Sequence, residues 1–207
     1  MHTQPINHIV RWLRHLHAES DLADGALLRR YASGDDAAFA SLVARHAGLV
    51  WGVCRRAVHD RQDAEDVCQA AFLTLARKAR TLDGERSLAN WLYTVTARLA
   101  FKAQARRRRG PERLSDAEPV VHADPLAAIS GRELYQAFDE EMQRLPTKMR
   151  EVLVLCCLQG RTRDEAAAEL GCTVGAVKSR LERGRECFVA HWGGAVWNCR
   201  RPCSGRD

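Results

Sequence analysis

Four cations and a hydroxyl lie close together in the second half of one short stretch of the chain, TRDEAAAELGCTVGAVKSRLERGRE from Thr162 to Glu186. They are Lys178, Ser179, Arg180, Arg183 and Arg185, and at helical spacing they lie on or beside one face. Side chains of these types hydrogen-bond base edges and phosphate oxygens, so the chemistry on offer is recognition of a polyanion. A helix must present them, and the stretch reads as two helices around a tight turn. Ala166, Ala167 and Ala168 are small enough to let a second helix cross the first closely. Gly171 suits the left-handed turn between them, and Thr173 can cap the second helix. Leu170, Val177 and Leu181 then hold that helix down. Such a hairpin fits the major groove of DNA, with its N-terminal half at base edges and its basic flank on phosphates. The same pattern also fits a plain helical hairpin with a solvated basic face.

Composition bounds the rest. The chain has 207 residues, a formal net charge of +6 and a sequence pI near 9.1, which favours a polyanionic partner. Gly and Pro are sparse while Ala, Leu, Arg and Glu dominate, a helical composition. No uninterrupted apolar run approaches the roughly 18 residues that span a bilayer. The N-terminus lacks a signal peptide's apolar block and cleavage site. The expectation is a cytoplasmic protein without stable membrane insertion. Eight cysteines are present, with no CxxC pair; Cys199 and Cys203 with His191 upstream lack the usual zinc spacing. His46 and His59 have no nucleophile partner and no Gly-rich phosphate loop occurs. No metal, no cofactor and no enzymatic activity are expected.

The elements that position the basic helix can be read along the chain. Ile6 to His17 form a short amphipathic helix. From Asp24, DGALLRRYASGDDAAFASLVARHAGLVWGVCRRAV gives two helices punctuated at Gly34, with Asp35 as N-cap of the second. RQDAEDVCQAAFLTLARKA turns Ala64, Val67, Ala71, Phe72 and Leu75 inward. A polar loop from Thr81 to Ser87 comes next, and Ser87 can cap LANWLYTVTARLAFKAQARRRR, in which Trp91 and Leu92 read as core. Lys102 to Arg113 carries six bases against one acid, whereas Ser115 to Glu141 carries seven acids against one base. The expected organisation is all-α: an N-terminal segment, 1–23; a helical bundle, 24–110; a linker, 111–131; a second helical unit ending in the hairpin, 132–190; and a tail, 191–207.

Two separate blocks resemble a known family. LPTKMREVLVLCCLQGRTRDEAAAELGCTVGAVKSRLERGRE resembles region 4 of the extracytoplasmic-function (ECF) group of sigma-70-type sigma factors. DAEDVCQAAFLTLARKA resembles region 2.2 of that group, and SLANWLYTVTARLAFKAQARRRR resembles its regions 2.3 and 2.4. The segment before Asp24 and the tail HWGGAVWNCRRPCSGRD match neither block.

The resemblance implies a subunit that directs RNA polymerase core enzyme to promoter DNA, with both as partners, and it admits an anti-sigma factor as a third. Lys178, Ser179, Arg180, Arg183 and Arg185 would read the −35 element as duplex, with Arg161 and Arg163 adding phosphate contacts. The Thr81–Ser87 loop occupies the base-capturing position for the −10 element, and Asn90, Arg98, Lys102 and Arg106 would contact the opened strand. Asp63, Glu65, Asp66 and Gln69 would dock on the clamp of the largest polymerase subunit. Two other readings stay open here: a polymerase-independent helix-turn-helix regulator, and a zinc protein built on the Cys and His residues.

Overall fold

The computed structural model describes residues 22–58, 60–82, 87–109 and 131–192, and among them there are helices and turns but no strand. The Ile6–His17 helix, residues 83–86 of the polar loop, residues 111–130 of the linker, and the tail from 193 lie outside the described residues.

The first unit contains α1 (Asp24–Ala32), α2 (Asp36–Ala57), α3 (Arg61–Lys78) with a 3-10 turn (Ala79–Thr81), and α4 (Leu88–Arg109). Side-chain caps begin three of these helices. Asp35 accepts from the backbone N–H groups of Ala37 and Ala38 at 3.0 and 3.2 Å, as the sequence suggests. Asp60 does the same for α3, accepting from Gln62 and Asp63 at 2.8 and 3.1 Å. Ser87 Oγ accepts from the N–H of Asn90 at 3.4 Å. Between α1 and α2 the chain reverses through Gly34, whose φ of +102° is costly for a residue with a Cβ. Leu27, Leu42, Val50, Cys54, Ala71, Leu75 and Leu92 are buried together at the centre of this unit. Each such Leu or Val side chain contributes about 1.5–3 kcal/mol through burial. By length and composition α2 could cross a membrane. Its apolar side chains instead form the core, packed against α1, α3 and α4.

The second unit contains α5 (Gly131–Arg144), α6 (Thr147–Leu153), α7 (Arg163–Glu169) and α8 (Val174–Trp192). Helix α6 runs into a π turn over Val154–Leu158, closed by the Gln159 N–H donating to the Val154 carbonyl at 3.0 Å. The wider i→i+5 loop rotates the residues after it relative to an α-helix. Gln159 is the first of them, and Gly160 then turns the chain at φ +71°.

The two units share a core. Leu49 and Val53 of α2 and Ala89, Tyr93 and Ala97 of α4 pack in one cluster with Met142, Leu145, Val152 and Leu155 of the second unit. Helix α4 is therefore covered on two sides, by Leu88, Leu92 and Ala100 toward its own unit and by Ala89, Tyr93 and Ala97 toward the other.

Candidate nucleic-acid interface

The hairpin that carries the cations is α7, turn and α8. Thr162 starts α7 in a reciprocal capping box: the N–H of Glu165 donates to Thr162 Oγ1 at 3.2 Å, and the N–H of Thr162 donates to the Glu165 carboxylate at 2.8 Å. These bonds, the backbone bond foremost, hold the Glu165 carboxyl below the usual range. Ala166 and Ala167 are buried where α8 crosses, and Gly171 turns the chain at φ +60°. Thr173 Oγ1 accepts from the N–H of Ala176 at 3.2 Å and so caps α8. Val177, Leu181, Gly184 and Phe188 form the buried stripe of that helix. At Gly184 the fit is close, since a Cβ there would lie 3.0 Å from Leu153 Cδ1.

With that stripe inward, Lys178 and Arg183 are exposed, and Ser179, Arg180 and Arg185 are half-buried. Arg183 NH2 donates to Ser179 Oγ at 2.8 Å, which holds the guanidinium along the helix. Arg180 NH1 lies 3.6 Å from Cys172 Sγ, tethered toward the turn. Arg185 Nε is buried without a hydrogen-bond partner among the described residues. Arg161 is exposed and lies 3.8 Å from Glu165; Arg163 is half-buried. Sequence reasoning passed over Val174, which is 41% exposed at the start of α8. Its signal was an apolar residue off the Val177–Leu181 stripe, where a side chain can meet a thymine methyl.

On α4, Asn90, Arg98, Lys102 and Arg106 fall on a row whose members are multiples of four residues apart. Arg98, Lys102 and Arg106 are exposed along one side. Asn90 differs: it is 6% exposed, and its Oδ1 accepts from Arg150 Nε of the second unit at 3.0 Å. In this arrangement Asn90 meets protein where the sequence reading puts a DNA strand. The next cation, Arg107, turns away and pairs with Asp63 and Asp60 at 3.1 and 3.7 Å.

Those pairs bear on the acidic set of α3. Asp63 is engaged by Arg107, and Glu65 accepts from Arg61 Nε at 3.0 Å with its side chain mostly covered. Asp66 and Gln69 are exposed. Leu73, one turn further and 49% exposed, continues their face. It was hidden in the sequence among the inward Phe72 and Leu75. Among the described residues no group of three or more His, Cys, Asp or Glu is placed to hold a metal ion.

Comparison with known proteins agrees with this layout. Residues 42–110 match the family model described as Sigma-70 region 2, and residues 135–188 match the one described as Sigma-70, region 4. The chain is 32% identical over 176 residues to the RNA polymerase sigma-H factor of Pseudomonas aeruginosa, covering 80% of this chain and 91% of that one. It is 32% identical over 178 residues to the ECF RNA polymerase sigma-E factor of Escherichia coli, covering 81% and 93%. With the ECF RNA polymerase sigma factor SigW of Bacillus subtilis it shares 28% identity over 174 residues, covering 78% and 92%. Among solved structures, CnrH in complex with the cytosolic domain of CnrY aligns over 83% of this chain and 98% of that one, at 27% identity and a TM-score of 0.42. The chain belongs to the ECF group of the sigma-70 family: it is a sigma factor, a non-catalytic subunit that binds RNA polymerase and recognises promoters.

Proposed function

We propose that the two units divide the promoter between them. Helix α8 enters the major groove of the −35 duplex, with Lys178, Ser179, Arg180, Arg183 and Arg185 supplying base and phosphate contacts. Helix α4 and the loop before it hold the −10 element as it opens, with Arg98, Lys102 and Arg106 tracking the strand and Asn90 joining them once uncovered. Helix α3 docks on core polymerase through Asp66 and Gln69, with Asp63 and Glu65 beside them and Leu73 adding an apolar anchor. The site of action is the cytoplasm, where polymerase and DNA are, and an anti-sigma factor is the further partner class this family admits.

The observation that carries the reading is the orientation of α8. Its buried stripe against α6 leaves Lys178, Ser179 and Arg183 on the outward side beside the exposed Val174 and Gly175. Opening DNA without nucleotide hydrolysis requires contacts that only the exposed strand can make, since extruding a base costs a few kcal/mol. A cationic row on a long helix supplies such contacts.

The test begins with polymerase attachment. Asp66→Lys reverses an exposed charge and leaves the α3 core intact, so core polymerase should bind the variant more weakly while circular dichroism is unchanged. Equal affinity of wild type and variant for core enzyme, measured without DNA, removes α3 as the docking surface.

A further inference from the structure

Two cysteines of the first unit meet across adjacent helices. Cys54 belongs to α2 and Cys68 to α3, which pack together in the first-unit core. Both are free thiols, within side-chain hydrogen-bonding reach of one another. Cys54 is fully buried, whereas Cys68 is half-buried at the edge of the same cluster.

The hydrogen bond between them has a sense. Cys54, the donor, is pushed far above the ordinary thiol range by that bond and then by burial. Cys68, the acceptor, is held below that range by the same bond, which outweighs burial and the neighbouring Glu65 charge. The sulfur that solvent can reach is therefore the one favoured as thiolate, and the shielded thiol is the one that supports it. A cysteine acting only as a small hydrophobe needs no such asymmetry. Thiolate character and access are what make a cysteine oxidisable, and a second thiol beside it lets the first oxidation product resolve as a disulfide.

The surroundings leave room for that bond. Ala64 and Ala71 flank Cys68 on α3, and Ala57 lies one turn from Cys54 on α2, all three of them in the same buried cluster. With such small neighbours the sulfurs can close from hydrogen-bond contact to the roughly 2.05 Å of a disulfide.

We propose that Cys54 and Cys68 form an oxidisable dithiol, with a hydroperoxide as its substrate and an intramolecular disulfide tying α2 to α3 as its product. The Cys68 thiolate attacks one peroxide oxygen and the O–O bond breaks. The departing oxygen takes up the proton that Cys68 gave up and leaves as an alcohol, or as water from hydrogen peroxide. Cys68 is then a sulfenic acid. The Cys54 sulfur attacks the Cys68 sulfur, the S–O bond breaks, and the hydroxide leaves as water with the Cys54 proton. Two thiols and one hydroperoxide thus give one disulfide, one alcohol and one water. A small thiol reverses the step by exchange at the more accessible Cys68 sulfur. The bond joins the helix proposed to dock on core polymerase to its neighbour, so the covalent state of the first unit registers peroxide.

The test treats the full reduced chain with hydrogen peroxide, blocks remaining thiols with N-ethylmaleimide and maps the tryptic peptides by mass spectrometry. Cleavage after arginine places Cys54 in residues 46–55 and Cys68 in residues 62–77. These two peptides should appear joined, short of both thiol hydrogens, and should separate on treatment with dithiothreitol. In Cys54→Ala, Cys68 should persist as a sulfenic acid and be labelled by dimedone. In Cys68→Ser, Cys54 should stay reduced at the same peroxide concentration. Circular dichroism checks that both variants keep their helices, and the wild-type result stands without them. Cys68 that is overoxidised, left unmodified or linked to another cysteine in the wild-type chain overturns the pair. Equal oxidation of Cys54 with and without Cys68 overturns the assignment of the attacking sulfur. The measurement uses neither polymerase nor DNA, so its outcome is separate from that of the sigma-factor reading.

Discussion

Arg183 and Arg180 carry the same charge on the same helix, but their surroundings separate them. Arg183 is exposed and steadied by Ser179, so under the proposed function it would meet a groove without repacking. Arg180 must first leave Cys172. Arg183→Ala should weaken binding to −35 duplex by about 1–3 kcal/mol if it makes a bidentate base contact. If it contacts phosphate, the loss should be uniform across sequences and the salt slope should fall by about 1. Fluorescence anisotropy at several salt concentrations distinguishes these, and unchanged binding excludes Arg183 from the interface. Asp24 carries a different residue-scale prediction. Burial opposes its ionisation, but hydrogen bonds and charge from His46 and Arg45 prevail and hold its pKa below 3.8. A carboxyl with a depressed folded pKa stabilises the fold above its unfolded value, and that contribution is lost as pH falls through the folded value. Asp24→Asn should therefore lower the urea midpoint at pH 6, with the gap from wild type closing toward pH 3. A gap that widens on acidification contradicts the Asp24–His46–Arg45 account.

Among the elements, the α7–α8 hairpin was the most legible in sequence. Ala166, Ala167, Gly171, Thr173 and the Val177–Leu181 stripe are each local requirements of the crossing, and a local requirement leaves its mark at short spacing; Ala168, expected at the crossing too, is exposed. Gly171→Ala tests it: placing a Cβ at φ +60° should cost about 1–2 kcal/mol in denaturant unfolding of the second unit. A neutral substitution would mean that the turn relaxes out of the left-handed region. Helix α4 was less legible. Only Trp91 and Leu92 read as core in the sequence, whereas Leu88, Leu92 and Ala100 face one side and Ala89, Tyr93, Ala97 and Phe101 the other. Two stripes on one helix announce burial on two sides, but the second is made of small and aromatic residues and reads as scatter. Asp139 was hidden more deeply. In the sequence it is one of the seven acids between Ser115 and Glu141, and only Tyr93 and Arg56 of the other unit mark it as a buried group. The Asn90 side chain was named from the family's pattern, and nothing within a few residues signals that Arg150, 60 positions away in sequence, would cover it.

The whole molecule combines two outward-facing surfaces, on α8 and on α3, with an interface between the units that covers Asn90 at one end of the α4 row. Exposed Lys178 and Arg183 on α8, and Asp66, Gln69 and Leu73 on α3, are accessible as the units stand. Along the cationic row of α4, Arg98, Lys102 and Arg106 are exposed while Asn90 is covered. Under the proposed function, this chain gives core polymerase its promoter. The direct measurement is transcription by core enzyme on genomic DNA of the source organism, with and without the chain, and then mapping of the transcript 5′ ends. Starts should appear only with the chain, share two upstream elements at −35 and −10, and diminish with Arg183→Ala and with Asp66→Lys. A chain that binds DNA by itself but yields no start dependent on it would instead be a polymerase-independent DNA-binding regulator.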